Sequence, residues 1–577
     1  MEKGDVAMKQ IDCSSFIDKA KKLTPRHCLE QMMKFLEYDV SGESLLMEIY
    51  GLRSTGKTTL MQQLVALSDT PIDEWLYLEA DDGDTIDDVE HAILQAQDNG
   101  IKHVIIDEIT NLKDFINHAN ILADVLASSN LHIIIAGTDS LSIAFANKDS
   151  LYHRVIKIPT TYISFAEHCQ VYGQTDLDDY IKHGGLMDNH NLKPLVHDIS
   201  SCKDYVNTSI AENISRSVSR ISNINDSSAN IKKIPVRELS AVIERMVEDY
   251  SGKFDLDLFT KELFAVVLTS IPKEMTKESR GTAIFTPFQR NQLQKQRQEI
   301  IKEFTPLINA TGTVSVEITT RDVNIIQEYL EEMDVLSITH TKYFRSKSTE
   351  PFKNIAYGNN DEIYLIQPSI KYYHLIQSTN YIKESERYDA LSEAQRTATI
   401  GFVETYILGL MTEQVVLFDV KHSLPLDKYS VYKTVFTSDK KDDYRREIDL
   451  MICDKEANAH WSFEIKHSSE LVQIINEHGF STGQDKNLVA PEVVEVLNRQ
   501  YGKSQGTYVL YNGKSSYSAT ETVWLNISDF LIAVDKYKDM DLAIKALLQD
   551  IPIDGSVEQI KSVDNVPDVE QDDDIDP

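Results

Sequence analysis

Cysteine is scarce: the 577-residue chain has five (Cys13, Cys28, Cys169, Cys202 and Cys453), far apart and with no C-x-x-C. That argues against a disulfide framework or a Cys-ligated structural zinc and suits a reducing compartment. The 16 histidines show no H-E-x-x-H spacing, which removes that zinc-hydrolase arrangement. No apolar run approaches the ~20 residues needed to cross a bilayer. Met1 to Lys21 is polar and charged, without the apolar core of a secretory signal. A cytoplasmic protein with no membrane partner is expected. Positive charge is also short: 58 Lys and Arg stand against 91 Asp and Glu, a net charge of −33. Such a chain repels nucleic-acid phosphates on average, so DNA could be reached only through a local basic patch.

What is present is an ordinary globular balance, 42% hydrophobic and 26% charged, long enough for several domains. After an N-terminal extension (1–24), residues 25–195 alternate apolar strands with helices. The strands are read at Leu45–Tyr50, Trp75–Leu78, His103–Ile106, Leu131–Ala136 and Val155–Ile158. Short continuous apolar strands separated by helices indicate an α/β fold, a three-layer parallel sheet covered on both faces. Residues 196–380 read as mainly helical. There the spacing of Val323, Ile326, Tyr329, Leu330 and Met333 predicts a helix over Arg321–Val335, followed by a strand at Leu336–Phe344. That order suits a winged helix or a plain helical linker. Residues 381–550 read as a second, smaller α/β domain. Its long helix, Ser392–Leu410, is followed by strands at Val415–Asp419, Tyr432–Phe436, Ile448–Cys453, Trp461–Lys466 and Thr507–Tyr511. Residues 551–577 form an acidic tail, expected to be disordered.

The segment Gly51-Leu52-Arg53-Ser54-Thr55-Gly56-Lys57-Thr58, followed by Thr59, matches G-x-x-x-x-G-K-[ST] between an apolar strand and a helix, the setting a P-loop NTPase requires. Gly51 and Gly56 would let backbone N–H groups turn onto phosphates, and the helix would offer them its positive end. Lys57 would reach the β- and γ-phosphates and Thr58 would ligate Mg²⁺. The strand His103–Asp107 ends in a carboxylate followed by Glu108. Asp107 would sit beside the metal and Glu108 would act as general base. ATP and Mg²⁺ are therefore the expected cofactors. Trp75–Leu78 is read as an extra strand between the P-loop strand and the Asp107 strand, the layout of ATPases with a catalytic glutamate. Thr138 is read as a γ-phosphate sensor, against an ordinary loop threonine. Arg154 is read as an arginine finger, against a surface ion-pair residue.

A second constellation lies near the C-terminus. The stretches Arg445–Ile452 and Trp461–Lys466 read as a hairpin. Strand alternation puts Phe463 and Ile465 on one face and Glu464 and Lys466 on the other, near Asp449. Asp449 and Glu464 could hold Mg²⁺, Lys466 could orient a water, and Glu404, on the long helix, could complete the shell. The competing reading is a surface hairpin with ordinary charges. Arg445 and Arg446 would supply local positive field.

These stretches together resemble a family of prokaryotic, archaeal-type AAA+/STAND-like P-loop ATPases whose ATPase domain is followed by a winged-helix segment and a C-terminal PD-(D/E)XK, restriction-endonuclease-like domain. The resemblance rests on GLRSTGKTTL (51–60), VIIDEITNLKDF (104–115), IIIAGTDS (133–140), ISFAEH (163–168), Gly184-Gly185, REIDLMI and FEIKHSS. It implies ATPase roles for Lys57, Thr58, Asp107 and Glu108 and a nuclease core of Asp449, Glu464 and Lys466 with Glu404 as the helix acid. Met187 stands where the family tends to carry Pro. The expected function is an ATPase coupled to a Mg-dependent nuclease-like domain that cuts or binds DNA. The alternative is a nucleotide-switched regulatory ATPase acting on protein partners, its nuclease-like fold kept as a scaffold. Assembly into a homo-oligomer is left open.

Overall fold

Continuous burial along short apolar strands underlies the first sheet. In the computed structural model, which describes residues 8–38, 46–112, 115, 130–137, 155–173, 176–187, 194–220, 231–243, 320–347, 355–384, 386–390, 392–438, 445–468, 491–517, 523–549 and 551, these strands are β1 (Lys9–Ile11), β2 (Leu46–Tyr50), β3 (Trp75–Glu79), β4 (His103–Asp107), β5 (His132–Ala136) and β6 (Val155–Pro159). Their order is β1-β3-β4-β5-β2-β6. All neighbours are parallel except β1, which pairs antiparallel with β3. Val104, Ile106, Ile133 and Ile135 pack on one face with α3 (Ile86–Asp98). Ile105, Ile134, Met47 and Ile49 pack on the other with α1 (Cys28–Leu36) and α2 (Lys57–Leu67). Burial of both faces is why these strands read as unbroken apolar runs.

Two expectations are corrected here. A strand does separate the P-loop strand β2 from the Asp107 strand β4, but it is β5; β3 lies on the far side of β4. Chain order misled because a parallel sheet need not follow it. The N-terminal segment is also not merely an extension, since Lys9–Ile11 supplies the sheet's edge.

The same compact unit continues through α4 (Phe165–Tyr172), α5 (Leu177–His183), α6 (Ile199–Tyr205), a π-helical turn over Val206–Ala211, α7 (Glu212–Arg220) and α8 (Thr320–Glu332). Buried Val206, Ile210, Ile214, Ile326, Leu330 and Met333 form its own apolar core, which Leu52 of the phosphate loop joins. The expected helix and following strand are both found: α8 leads into β7 (Leu336–Ser346), and β8 (Ile355–Leu365) neighbours it. From Thr341 on, β7 runs parallel to β9 (Tyr429–Ser438). Among the described residues, the second compact unit thus takes in His340–Asp361 and the chain from Thr412, rather than starting at 381.

In the second unit the sheet order continues β8-β7-β9-β10-β11-β12-β14-β13. Here β10 is Arg445–Asp454, β11 Ala459–Lys466, β12 Lys503–Tyr511, β13 Ser516–Tyr517 and β14 Val523–Asn526. Tyr432, Phe436, Met451, Val509 and Trp524 bury one face against Val493, Val496 and Leu497, in the helix Pro491–Tyr501. Phe463 packs at a tilt against Phe530, in the helix Ile527–Tyr537. The expected strand at Val415–Asp419 is helical instead. A single helix runs over Glu393–Ser423, because Val415, Val416 and Phe418 bury as part of a longer helix that overrides their β preference. No helix among the described residues is long and apolar enough to cross a membrane.

Candidate functional site

The phosphate loop is built by two left-handed glycines and a set of outside donors. Gly51 (φ 145°) and Gly56 (φ 85°) adopt conformations that disfavour side chains. A Cβ on Gly51 would collide with Thr160 Oγ1 and Thr161 N. Gly56 caps α2, so the helix's free N–H groups face the loop. The Thr55 hydroxyl donates to Leu52 O at 2.8 Å and also meets Thr160 Oγ1. Leu52 and Thr55 are buried, Arg53, Ser54 and Thr58 are exposed, and Thr59 lies half-buried in the first turn of α2.

Lys57 is buried, and its ammonium donates to the carbonyls of Gly51 (2.9 Å) and Leu52 (2.8 Å). Burial drags its pKa down to about 8. A cation curled into a loop with carbonyl partners is suited to accepting an anion. Beside it, Thr58 Oγ1 and Tyr77 OH both donate to Asp107 Oδ2, at 3.0 and 3.1 Å. Asp107 Oδ1 accepts the N–H of Glu108 at 2.9 Å. Burial and the neighbouring Glu108 push the Asp107 carboxyl up to about 6. Glu108 has φ 53°, a left-handed conformation uncommon outside glycine and frequent where side chains are aimed at a site. A hydroxyl and a carboxylate converging at the mouth of the loop form an oxygen donor pair that fits Mg²⁺.

The C-terminal constellation is assembled by the hairpin and a bulge. Leu450 pairs with Phe463 across β10 and β11, and the β9–β10 register shifts between Ile448 and Met451, where Asp449 sits. Bulges re-aim side chains at such places. Asp449 Oδ2 accepts the N–H of Ile465 at 2.8 Å, and Lys466 Nζ lies 2.5 Å from Glu464 Oε1. The second oxygen of Glu464 is buried with no hydrogen-bond partner. Burial, then Asp449, pushes Glu464 up to about 8. For Lys466 burial opposes the charge, and Glu464 and Asp449 outweigh it and hold the ammonium above its usual value.

The helix carboxylate that meets this cluster is Glu413. Lys433 Nζ lies 3.4 Å from Glu413 Oε2 and 2.5 Å from Glu447 Oε1. Burial and the charge of Asp449 raise Glu413 to about 7. Glu404 is exposed, and its charge is felt by Tyr372. Glu404 belongs to the first compact unit and Glu413, with the cluster, to the second. The cluster sets four carboxylates (Glu413, Glu447, Asp449, Glu464) against two ammonium groups (Lys433, Lys466). In this conformation no group of three or more His, Cys, Asp or Glu among the described residues is close enough to hold a metal ion. The negative excess and the orphaned Glu464 oxygen nonetheless fit a cation.

Residues 44–169 match a family model described as AAA domain. This stretch is an AAA-type domain, and the parallel-rich first sheet is consistent with a P-loop AAA fold. The matched residues stop well short of the C-terminal cluster. Solved structures similar to the chain include C. elegans PCH-2 (12% identity, 51% of this chain and 74% of that one, TM-score 0.22). Another, of katanin self-assembly, shows 10% identity over 57% of this chain and 100% of that one, with TM-score 0.19. A third, the S. cerevisiae Hsp104:casein complex in its extended conformation, shows 13% identity over 89% and 98%, with TM-score 0.24. At these scores the likenesses carry no weight for fold or function. No curated protein matches the chain.

Thr138 and Arg154 lie outside the described residues, as do the side chain of Arg445 and the acidic tail; Arg446 is half-buried on β10. Sequence reasoning missed Tyr77, Glu413, Lys433 and Arg26. A continuous helical reading through Val415 would have raised Glu413. Arg26 had one signal, the glutamate of ISFAEH that it pairs with.

Proposed function

We propose that the chain binds ATP at the 51–58 loop and hydrolyses it. The observation that carries this is the buried ammonium of Lys57 inside a loop of left-handed glycines, with Thr58 and Asp107 bonded at its mouth. In this reading Lys57 exchanges the Gly51 and Leu52 carbonyls for phosphate oxygens, and the N–H groups opening α2 bind the same anion. Thr58 and Asp107 would hold Mg²⁺, which when bound neutralises charge on the phosphates. Glu108 accepts a proton from the attacking water. Turnover of ATP by wild type, Lys57→Ala and Glu108→Gln is the test. Both variants are expected to lose turnover, and Glu108→Gln to keep binding. Hydrolysis undiminished in Lys57→Ala would end this assignment.

A second reading concerns the C-terminal unit, favoured by the unpartnered oxygen of Glu464 beside Asp449 and Lys466. In this reading the unit is a Mg-dependent, nuclease-like domain acting on DNA. Asp449 and Glu464 would hold the metal, and Lys466 would orient a water. Mg-dependent cleavage of linear and plasmid DNA, with Lys466→Ala beside wild type, distinguishes it from a scaffold that serves protein partners. Equal inertness of the two, with and without ATP, would leave the scaffold.

A further inference from the structure

The peptide bonds of the phosphate loop are turned by donors from outside it. A trans peptide points its C=O and the next residue's N–H in opposite directions. The carbonyls of Arg53, Ser54 and Thr55 are held by Tyr205 OH (2.8 Å), Met187 N (2.6 Å) and Arg26 Nη1 (2.6 Å). Each such bond commits the next N–H, of Ser54, Thr55 or Gly56, to the other side. Of the three donors only Arg26 is charged and buried, at 7% exposure.

Every N–H of Arg26 is used. Nε meets Glu167 Oε1 at 3.0 Å and Nη2 meets Glu167 Oε2 at 3.1 Å. Nη1 reaches Thr160 O at 2.9 Å as well as Thr55 O, and Nη2 reaches Tyr162 O at 2.9 Å. Glu167 Oε1 also accepts the N–H of His27 at 2.8 Å. Glu167 is itself buried, in the first turn of α4, 141 residues from its partner. One planar fork thus ties the loop, the end of β6 and α4 together, which a lysine's single nitrogen could not span.

Resting on the ATP-site reading above, we propose that Arg26, oriented by Glu167, is the positioning residue of the phosphate loop: it holds the Thr55 carbonyl outward so that the Gly56 N–H is already aimed at an incoming phosphate. The pair is then part of nucleotide affinity and not only of the core. Preorganised donors cost no rearrangement when the charge arrives.

The test uses the full chain as wild type, Arg26→Gln, Arg26→Lys, Glu167→Gln and the double Arg26→Gln/Glu167→Gln, with Lys57→Ala as control. ATP and ADP affinity, KM, kcat and the nucleotide-free unfolding midpoint are measured. Arg26→Gln and Glu167→Gln are expected to weaken ATP at least about tenfold, mainly through KM, and Arg26→Lys not to rescue. The double variant should be no worse than the weaker single, because the two act as one unit. Glu167→Gln keeps the volume and one acceptor, so it decides the question should Arg26→Gln fail to fold. Folded variants that bind ATP within twofold of wild type, while Lys57→Ala does not bind, overturn this proposal alone. A wild type that binds no ATP removes it together with the site.

Discussion

The two constellations are electrostatic opposites. At the phosphate loop a buried ammonium is surrounded by carbonyls, and its pKa falls to about 8. At the C-terminal hairpin buried carboxylates outnumber ammonium groups, and Glu464 rises to about 8. In both, desolvation penalises a charge that local partners only partly satisfy. The first is short of an anion and the second of a cation. Placing polar groups where the apo protein gains least from them is typical of sites prepared for a ligand.

The comparison can be broken by removing each charge in turn. Lys57→Met should raise the stability of the nucleotide-free protein, by on the order of a few kcal/mol. The sign follows from linkage: a lysine lowered from 10.5 to about 8 costs the fold its full penalty below pH 8, and the penalty fades as pH rises towards 10.5. Denaturant unfolding at pH 7 checks it, and a destabilised Lys57→Met would show that the ammonium is already well paired. Next in size, Glu464→Gln should flatten the pH dependence of stability in chelator. A carboxyl raised from 4.5 to about 8 contributes stability that is fully present below pH 4.5 and lost as pH rises through 8. Wild type should therefore lose stability from pH 5 to 8 more steeply than the variant; parallel profiles would contradict the assignment.

Metal dependence sharpens the contrast. Glu413→Gln should weaken the stabilisation of the C-terminal unit by Mg²⁺ about tenfold, an effect of the size seen when a group supporting a metal site is altered. Glu404→Gln, in the first compact unit, should leave it within about twofold. Thermal unfolding over a Mg²⁺ series separates the two, and a larger effect from Glu404→Gln would restore it as the helix acid. The smallest effect is expected from Tyr77→Phe, which removes one of the bonds to Asp107 and should cost about 1 kcal/mol, read from chemical denaturation. A loss several times larger would mean that Tyr77 does more than hold the carboxylate.

Local chemistry was legible in the sequence, and long-range chemistry was not. A strand running into glycines and a lysine that open a helix is a local pattern, so residues 46–67 read correctly. The proximity of Asp449, Glu464 and Lys466 was legible too, because strand alternation and a short turn bring those three together. Glu413 was hidden by Val415–Phe418, whose β-branched, apolar run imitates a strand and cut the helix short at Leu410. Arg26 and Glu167 carry no mutual signal across 141 residues. The strand Lys9–Ile11 has three residues, too few for a periodicity. The order of β3, β4 and β5 is set by crossovers that no strand sequence records.

The most direct measurement is an equilibrium titration of the full-length chain with ATP in Mg²⁺-containing buffer, beside Lys57→Met. The expected result is saturable single-site binding by wild type, and binding weaker by about a hundredfold or more in the variant, where the buried cation of the loop is gone. A wild type that does not bind, or a Lys57→Met that binds as tightly, would contradict the account.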